Sequence, residues 1–270
     1  MAMARTSTNG LDAVVGTPLP AESHPCPYLA NRQASFEQFH VHHLGRDAFR
    51  ELVMRGYRHF GDWFFRPRCC SCGACIPIRV SSTRFRRSRS VRRLFKRNRD
   101  LRVDLCRPSP SEAAYALYLS HKRKFESSSA PESYASFRRS LFAPFPFSHV
   151  LEIREGEHLI CVAHLDVCQD ILSAIYCYYD LAHSQRAPGR FAILLEIEIA
   201  RRLGIPFVYL GYYIRDNPHM RYKADYTPNQ VSLDEGNWVD FMTSGPESSL
   251  PARDLMRGFS PQTAVFHGLS

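Results

Sequence analysis

The chain has 270 residues and a formal net charge of +9. This length allows one large or two modest domains, and the composition is that of an ordinary soluble globular protein. There is no run of eighteen apolar residues, which argues against a membrane-spanning helix, and the first residues lack the apolar core of a signal peptide. We therefore expect a cytoplasmic protein whose nine cysteines are kept reduced.

The first part of the chain is predicted to form a small α/β subdomain over residues 22–106. Residues 1–21 are predicted to be a disordered lead-in. Helical spacing of apolar residues before Gly56 predicts a helix over 46–56, and alternating aromatic and polar residues over 57–67 predict two strands. A further, strongly basic helix is predicted over 88–101.

A larger second domain is predicted over residues 107–242. Ser111 is the predicted N-cap of a helix that runs to about residue 125, and another helix follows over 131–142. Next come a hairpin turning at Gly156, a strand over 171–180, a helix ending at Gly204, and strands near 207–214 and 230–233. This order is that of a GNAT acyltransferase, so we predict an α+β fold with a GNAT-like second domain. Residues 243–270 are predicted to be a flexible tail.

The net charge is concentrated in one segment. Residues 84–102 contain nine arginines and one lysine against the single acid Asp100, a local charge of +9 that equals the excess of the whole chain. Arginine forks match phosphate oxygens in pairs, so the bias toward arginine favours a nucleic-acid partner over a merely solvated basic face. Such contacts bind the backbone and depend strongly on salt.

Four cysteines fall within seven positions directly before this segment, with Cys69, Cys72 and Cys75 spaced as Cys-x-x-Cys-x-x-Cys. The spacing is that of the start of an iron–sulfur motif, and Cys26 could supply a distant fourth ligand. Zinc is an alternative ligand of the same thiols. Tight packing of small thiols in a turn explains the spacing equally well.

Two later stretches suggest a binding pocket. Residues 186–191, "RAPGRF", partly match the loop whose amide groups hold a phosphate at a helix N-terminus in GNAT enzymes. Phe191 replaces the small last residue, so a phosphorylated acyl carrier other than coenzyme A is expected. Residues 209–228 are rich in tyrosine, together with Arg221 and Lys223, and favour a polar pocket over plain packing.

Several motifs in the same order resemble one family. The stretches are "HPCPYL", "GYRHFGDWFFRPRCCSCGACIPIRV", "RSVRRLFKRNRDL", "LSAIYCYYD", "ARRLGIPFVYLGYYI" and "HMRYKADYTP". They are similar to the bacterial aspartate/glutamate leucyltransferases and the related arginyl-tRNA–protein transferases of the N-degron pathway.

The resemblance implies an aminoacyltransferase. Its partners would be Leu-tRNA or Arg-tRNA and a protein or peptide with N-terminal Asp or Glu, which receives the amino acid by direct aminolysis of the tRNA ester. No cofactor is needed for that chemistry. The resemblance also implies that an iron–sulfur cluster or zinc can be bound, with candidate ligands Cys26, Cys69, Cys72 and Cys75.

The roles expected of individual residues follow from this reaction, which needs orientation, a proton acceptor and donors to the oxyanion. Candidate catalytic residues are Asp180, Tyr178, Tyr213 and Tyr222. Candidate tRNA contacts are Arg86, Arg87, Arg89, Arg92, Arg93, Lys96, Arg97, Arg186, Gly189 and Arg190. Candidates for the acidic side chain of the acceptor are Arg79, Arg215 and Lys223.

The chain departs from the family pattern at Leu181, at Ala187 and Pro188, and at Asn217 and His219. These positions surround the expected aminoacyl site, so they leave open which amino acid and which acceptor are used. One alternative is an aminoacyl-tRNA-dependent ligase that acts on a small molecule or peptide scaffold. Another is a nucleic-acid-binding regulator that senses metal or redox state through its cysteines.

Overall fold

The structure is a computed structural model that describes residues 14–123, 132–142 and 145–242. Its helices are α1 (Arg46–Met54), α2 (Arg89–Arg97), α3 (Glu112–Lys122), α4 (Tyr134–Leu141), α5 (Pro188–Arg202) and α6 (Pro218–Arg221), with 3₁₀ helices at Leu181–Arg186 and Tyr222–Asp225. Its strands are β1 (Val15–Leu19), β2 (His24–Pro25), β3 (Gln33–Ala34), β4 (Phe36–His43), β5 (Arg58–Phe60), β6 (Trp63–Pro67), β7 (Ile76–Ser81), β8 (Arg102–Cys106), β9 (Ser148–Glu155), β10 (His158–Cys168), β11 (Ile171–Tyr179), β12 (Phe207–Tyr213), β13 (Asn229–Asp234) and β14 (Asn237–Met242).

A mixed sheet of eight strands forms the centre, in the order β14-β13-β7-β12-β11-β10-β9-β8. Strands β11 and β12 run parallel, and the other neighbours in this sheet are antiparallel. The predicted α+β class is confirmed at this level. No helix within the described ranges is both long and apolar enough to cross a membrane.

Helices and a second sheet cover both faces of the large sheet. Helices α2 and α5 pack through one core with Val91, Leu94 and Ile197. Helices α3 and α4 pack through another, centred on Phe137. Helix α1 and the four-stranded sheet β1-β4-β6-β5 pack around Phe49. Burying these apolar side chains is the main source of stability for such a layered fold.

Part of the stretch predicted to be a disordered lead-in is instead the strand β1, which pairs with β4 from Val15 onward. Residues 1–13 lie outside the described residues. The tail predicted over 243–270 also lies outside them, and the chain before it forms the additional strand β14, which pairs with β13.

Strands from both sides of the predicted domain boundary after residue 106 share the large sheet. Strand β7 lies between β13 and β12, and β8 pairs with β9. The alternation of Ile76, Ile78 and Val80 on the buried face of β7 is a strand signal, but it does not say which partner the strand will find.

Local signals for helix and turn positions are confirmed. Ser88 Oγ accepts a hydrogen bond from the Val91 amide (3.3 Å), and Ser111 Oγ accepts one from the Ala114 amide (3.2 Å), so α2 and α3 both begin with a serine cap. Gly156 has a φ of +58° at the turn between β9 and β10, which glycine adopts without a steric cost.

The parallel strands β11 and β12 separate part-way along their length. Their pairing covers Ile171–Phe207, Leu172–Val208 and Ser173–Tyr209. Strand β11 then continues to Tyr179 and β12 to Tyr213 without further pairing between them. We call the space between residues 174–179 of β11 and 210–213 of β12 the strand gap, and it positions the candidate active site.

Candidate active site and basic surface

Arg58, at the start of β5, reaches into the strand gap from the smaller sheet. Its guanidinium donates to Ser173 Oγ (2.9 Å) and to the Ala174 carbonyl, both on β11. On the β12 side it lies against Gly211, where an added Cβ would be only 3.1 Å from Arg58 Nε and where φ is +84°. Gly211 is therefore required both by its backbone conformation and by the closeness of Arg58. Arg58 was not among the predicted site residues.

Lys223 enters the same region from the 3₁₀ helix Tyr222–Asp225. Its Nζ donates to the Tyr212 carbonyl on β12 at 3.1 Å. Burial lowers the pKa of Lys223 to about 7, and the positive charge of Arg58 acts in the same direction. The predicted role of Lys223 in binding an acidic side chain requires a charged ammonium, which this environment disfavours.

Glu196 faces the gap from the buried side of α5. It is only 2% exposed, and its Oε2 has no hydrogen-bond partner among the described residues. Burial raises the pKa of Glu196 to about 8, and Arg58 opposes that rise. Because a buried carboxyl without a partner is costly, it is a marker of function at many sites.

Tyr222 is the predicted catalytic residue that best fits this region. It is 40% exposed, and burial of its hydroxyl, followed by the charges of Cys177 and Glu196, raises the pKa of the phenol. The hydroxyl is therefore shielded from water and lies within the electrostatic reach of Cys177 on β11, while part of the residue stays exposed. Tyr213 is 8% exposed and packs its ring on Phe241 at a centroid distance of 5.4 Å, which indicates a wall position.

The burial of Tyr178 argues against its predicted catalytic role. Its side chain is fully buried in the core beneath α3 and α4, with its ring against those of Tyr118 (5.5 Å) and Phe137 (6.3 Å). Successive side chains on a strand point to opposite faces, so Tyr178 faces α3 while Cys177 and Tyr179 face α5.

Asp180 directly follows β11 and caps the next 3₁₀ helix. Its Oδ1 accepts from the Ala182 amide (2.9 Å), and its Oδ2 lies 2.9 Å from His183 Nδ1 and 3.2 Å from His158 Nε2. The carboxylate is thus engaged with two histidines and a backbone amide at the surface, which does not match a direct catalytic role in the gap.

Helix α2 carries the basic surface. Val91 and Leu94 are buried, while the cations on its other faces are exposed. Within the described residues Arg89, Arg92, Arg93, Lys96 and Arg99 form no ion pair with an acidic side chain. Arg87 differs, because it donates to Glu198 on α5 at 2.9 Å and stacks on Phe95 at 4.1 Å.

The C-terminal end of α2 is joined to the loop that precedes α5. Arg186 bonds to both oxygens of Asp100 (3.0 and 2.8 Å), and Asn98 donates to the Arg186 carbonyl at 3.0 Å. A surface cavity of about 560 Å³ lies here. Its lining consists of Arg93, Lys96, Arg97, Arg99, Asp100 and Arg186.

The N-terminus of α5 is open to an anion. Ala187 (φ +49°) precedes Pro188, the helix has no side-chain cap, and the amides of Gly189 and Arg190 are among the first-turn donors that a helix leaves unpaired. Gly189 lies against the ring of Tyr179 at the end of β11, where an added Cβ would be 3.1 Å from Cε1. The helix start predicted at residues 186–191 is confirmed, and it lies beside the strand gap.

The structure brings the four predicted cysteine ligands into one neighbourhood. The pKa of the Cys75 thiol is raised to about 12, mainly by burial and in addition by the charges of Cys69, Cys26 and Cys72. Sulfurs bound to one zinc ion lie within about 4.6 Å of one another. In the described part of the chain, no three of these sulfurs gather within 4.8 Å.

The predicted acceptor-binding arginines differ in their surroundings. Arg79 donates to Gln230 Oε1 (2.9 and 2.6 Å) and to the Tyr209 hydroxyl (2.9 Å), between the rings of Phe207 (3.9 Å) and Trp238 (4.5 Å). These contacts hold its guanidinium at the paired end of β12, which argues against its predicted role as an acceptor contact. Arg215 is exposed just beyond the open end of β12.

Comparison with known proteins identifies the class as a tRNA-dependent aminoacyltransferase. The models for the arginine-tRNA-protein transferase N terminus and C terminus match residues 24–93 and 113–233. The chain belongs to the arginine-tRNA-protein transferase family, as the sequence motifs predicted.

Curated relatives cover most of the chain. It is 38% identical over 221 residues to the aspartate/glutamate leucyltransferase of Stutzerimonas stutzeri, covering 81% of this chain and 94% of the relative. The protein of that name from Campylobacter jejuni is 33% identical over 211 residues, covering 76% and 88%. Among solved structures, FemX covers 77% of this chain and 72% of its own at 10% identity, with a TM-score of 0.48.

Proposed function

We propose that this protein transfers leucine from leucyl-tRNA to the N-terminal amine of proteins that begin with Asp or Glu, in the cytoplasm. Family membership and the names of the relatives support the aminoacyl-tRNA donor and the acidic acceptor. The observation that carries the proposal is that three features lie next to one another in the structure. The strand gap with its ionisable side chains opens beside the uncapped start of α5, and that start adjoins the basic cavity of α2.

The donor tRNA is held by backbone contacts in this proposal. The exposed cations of α2 contact phosphates of the tRNA, and the amides of Gly189 and Arg190 hold a phosphate near its 3′ end. The order from α3 to β12, with β11 and β12 separating, supports the proposal of a GNAT-like second domain. It supports entry of the aminoacyl group into the strand gap, where coenzyme A-dependent relatives of that fold place their acyl group.

The reaction is the aminolysis of an ester. The amine nitrogen of the acceptor attacks the aminoacyl carbonyl, a C–N bond forms, and the C–O bond to the terminal ribose breaks. Lys223 accepts the proton that the amine gives up, since a lysine with a pKa of about 7 is substantially neutral at physiological pH. Lys223 then gives this proton to the ribose oxygen, which leaves as a hydroxyl group. Tyr222 donates to the developing oxyanion.

Arg215 is the residue we assign to the acidic side chain of the acceptor. Its exposed guanidinium lies beyond the open end of β12, next to Asp216 at 3.4 Å, and a guanidinium fork suits a carboxylate. Leucine rather than arginine is proposed as the transferred residue, because the relatives with high coverage carry the leucyltransferase name.

No cofactor is required for this chemistry. Cys26, Cys69, Cys72 and Cys75 are nevertheless proposed to hold an iron–sulfur cluster, with zinc as the alternative. Such a group, when bound, would join the N-terminal segment to the loop before β7 through thiolate ligands. Cys75 lies near Lys223, so this joint would help to position the wall of the site.

The alternative of a small-molecule ligase was motivated by the substitutions near Asn217, and the structure gives Asn217 a local role. Its Oδ1 accepts from the His219 amide (2.8 Å) as the cap of α6, and its Nδ2 donates to the Tyr28 carbonyl (2.7 Å). A structural capping role thus accounts for this departure from the family pattern.

The test is a transfer assay with purified protein. Radiolabelled leucyl-tRNA and arginyl-tRNA are offered separately with peptides that begin with Asp, Glu, Ala or Lys. Label should pass from leucyl-tRNA to the Asp and Glu peptides. Transfer from arginyl-tRNA would change the donor assignment, equal labelling of all four peptides would refute the acidic acceptor, and tRNA binding without transfer would favour the regulator alternative.

A further inference from the structure

A cluster of two histidines and one carboxylate lies on the surface near the loop that leads to α5. His158 Nε2 and His183 Nδ1 lie 3.2 and 2.9 Å from the same oxygen of Asp180, Oδ2. All three potential ligand atoms are within 4.8 Å of one another, and no other such group is found in the described part of the chain. Nitrogen and oxygen atoms that share one zinc ion are separated by no more than about 4.3 Å, so a small adjustment of the side chains closes this arrangement around an ion.

The groups behind the three atoms are those that commonly support metal ligands. His183 Nε2 is 3.0 Å from Glu155 Oε2, so the nitrogen facing away from Asp180 has a carboxylate partner. A carboxylate on the second nitrogen fixes the tautomer and the orientation of a metal-binding imidazole. The other oxygen of Asp180 accepts from the Ala182 amide at 2.9 Å, which fixes this ligand as well.

The backbone places these residues together before any ion binds. The Asp180 amide donates to the Ile160 carbonyl (2.9 Å), which holds the end of β11 beside the start of β10 where His158 lies. His183 follows one turn later in the 3₁₀ helix. The site therefore rests on a sheet edge and a capped turn instead of on a free loop.

Hydrogen bonds alone are the competing explanation. Protonated histidines beside Asp180 would also satisfy the observed distances, and the arrangement would then be a charged surface cluster. Two features favour an ion. Both imidazoles direct a nitrogen at the same oxygen, and the exposed ring of His158 leaves one side open for water ligands.

We propose that His158, Asp180 and His183 bind a divalent transition-metal ion of the zinc class. Imidazole together with carboxylate suits zinc among the available metals, and the remaining positions are filled by water. Because Glu155 contacts both His183 and Arg186, the bound ion steadies the loop at residues 181–187 that presents the start of α5.

Cobalt(II) is the probe for this site, because it reports its ligands in its absorption spectrum. Purified full-length protein is titrated with cobalt, and thiolate ligands are recognised by their near-ultraviolet charge-transfer bands. Binding of one cobalt ion by His158, Asp180 and His183 should add visible d–d bands. It should not increase the thiolate charge-transfer absorption. Zinc should then displace that cobalt with unit stoichiometry.

The matched variants are His158→Gln and His183→Gln. The control is His43→Gln, at the exposed C-terminal end of β4. Each of the first two should lose the non-thiolate signal, while the control keeps it. Glu155→Gln should weaken binding by roughly 10- to 100-fold, as expected for a partner behind the ligands.

Thermal unfolding of metal-free protein checks that each variant is folded, and added zinc should raise the unfolding temperature of the parent and the control more than that of His158→Gln and His183→Gln. The proposal is refuted if all bound cobalt shows thiolate bands, or if folded His158→Gln and His183→Gln proteins keep the non-thiolate signal. Neither result depends on whether transfer activity is detected.

Discussion

Arg58, Glu196 and Lys223 come from three distant segments and meet around the strand gap. Arg58 lowers the pKa of Lys223 in addition to the effect of burial, while it limits the rise in the pKa of Glu196. One fixed guanidinium therefore favours a neutral amine and an ionised carboxylate. The resulting pKa values, about 7 for Lys223 and about 8 for Glu196, suit proton transfer near physiological pH.

Lys223→Met should abolish the pH dependence attributed to the proton acceptor. In the parent protein, kcat/KM should rise as the pH passes about 7, because only neutral Lys223 can take a proton. The substitution should lower kcat/KM by roughly 100-fold or more, in the range typical of a lost general base. The measurement is the transfer rate as a function of pH with leucyl-tRNA and an Asp-initiated peptide.

Lys223→Arg is the matched control for charge, since arginine remains protonated and cannot accept the proton. It should be as inactive as Lys223→Met while keeping tRNA affinity and fold. An unchanged pH profile in either folded variant would show that Lys223 is not the acceptor.

Glu196→Gln should stabilise the protein at alkaline pH. The folded-state pKa is raised from 4.5 to about 8, so the folded protein holds a proton that the unfolded chain releases. Stability is therefore lost as the pH rises from about 4.5 to about 8, by up to about 5 kcal/mol for a shift of this size. Glutamine removes this loss.

The measurement for Glu196→Gln is the free energy of unfolding of parent and variant at pH 5 and pH 8. The difference between them should be larger at pH 8. Glu198→Gln, on the same helix but paired with Arg87, is the control and should not show that increase. An equal difference at both pH values would contradict the raised pKa.

At the scale of single elements, α2 and the residues that flank it present two kinds of arginine. Those on its outer face lack acidic partners in the described residues, whereas Arg87 is held by Glu198 and Phe95. Charge alone, which is all that the sequence supplies, does not separate them. The structure narrows the tRNA contact to the outer face and to the end of α2 that adjoins Arg186.

Replacing Arg92, Arg93 and Lys96 together by alanine should weaken tRNA binding and flatten its salt dependence. Each lost phosphate contact reduces the steepness of log K against log salt by about 0.9 for a duplex and by somewhat less for a single strand. The measurement is a binding titration at several salt concentrations. Arg87→Ala is the control and should leave the slope nearly unchanged, and an unaltered slope in the triple variant would exclude α2 as the phosphate contact.

Elements defined by short-range signals were predictable. The serine caps of α2 and α3, the glycine turn between β9 and β10, and the start of α5 at Pro188 each depend on neighbours a few residues away. The position of β7 between β12 and β13 was missed, because strand alternation identifies a buried strand but not its distant partners.

At the scale of the whole molecule, the site depends on this long-range assembly. Nothing local distinguishes Arg58 from the other arginines of the chain, so its position in the gap could not be predicted. Glu196 did carry a signal. It lies three residues after Ile193 and four before Ala200, which places it on the same helix face as these apolar residues.

The cysteines connect two parts of the chain that lie far apart in sequence. Cys26 follows β2, and the other three precede β7, whose neighbour β12 forms one wall of the gap. Ligation at this place would hold the N-terminal segment against the active-site sheet. It would also make stability depend on metal, because the unfolded chain does not keep a preformed site.

Protein purified without oxygen should contain iron and labile sulfide, or zinc, at close to one site per chain. Cys72→Ser and Cys75→Ser should each lose the metal and unfold at a lower temperature, while Cys106→Ser, whose thiol donates to the Val150 carbonyl (3.7 Å), should keep it. Metal below about a tenth of stoichiometry in the intact protein would leave the four thiols as packed side chains, since bound thiolates retain their ion under these conditions.

If metal is present and transfer survives its removal, the ligated cysteines stabilise the fold without controlling the reaction. If transfer activity is lost while the protein stays folded, metal and oxygen regulate transfer through the cysteine site near Lys223. The reason is that oxidised thiols no longer bind the ion.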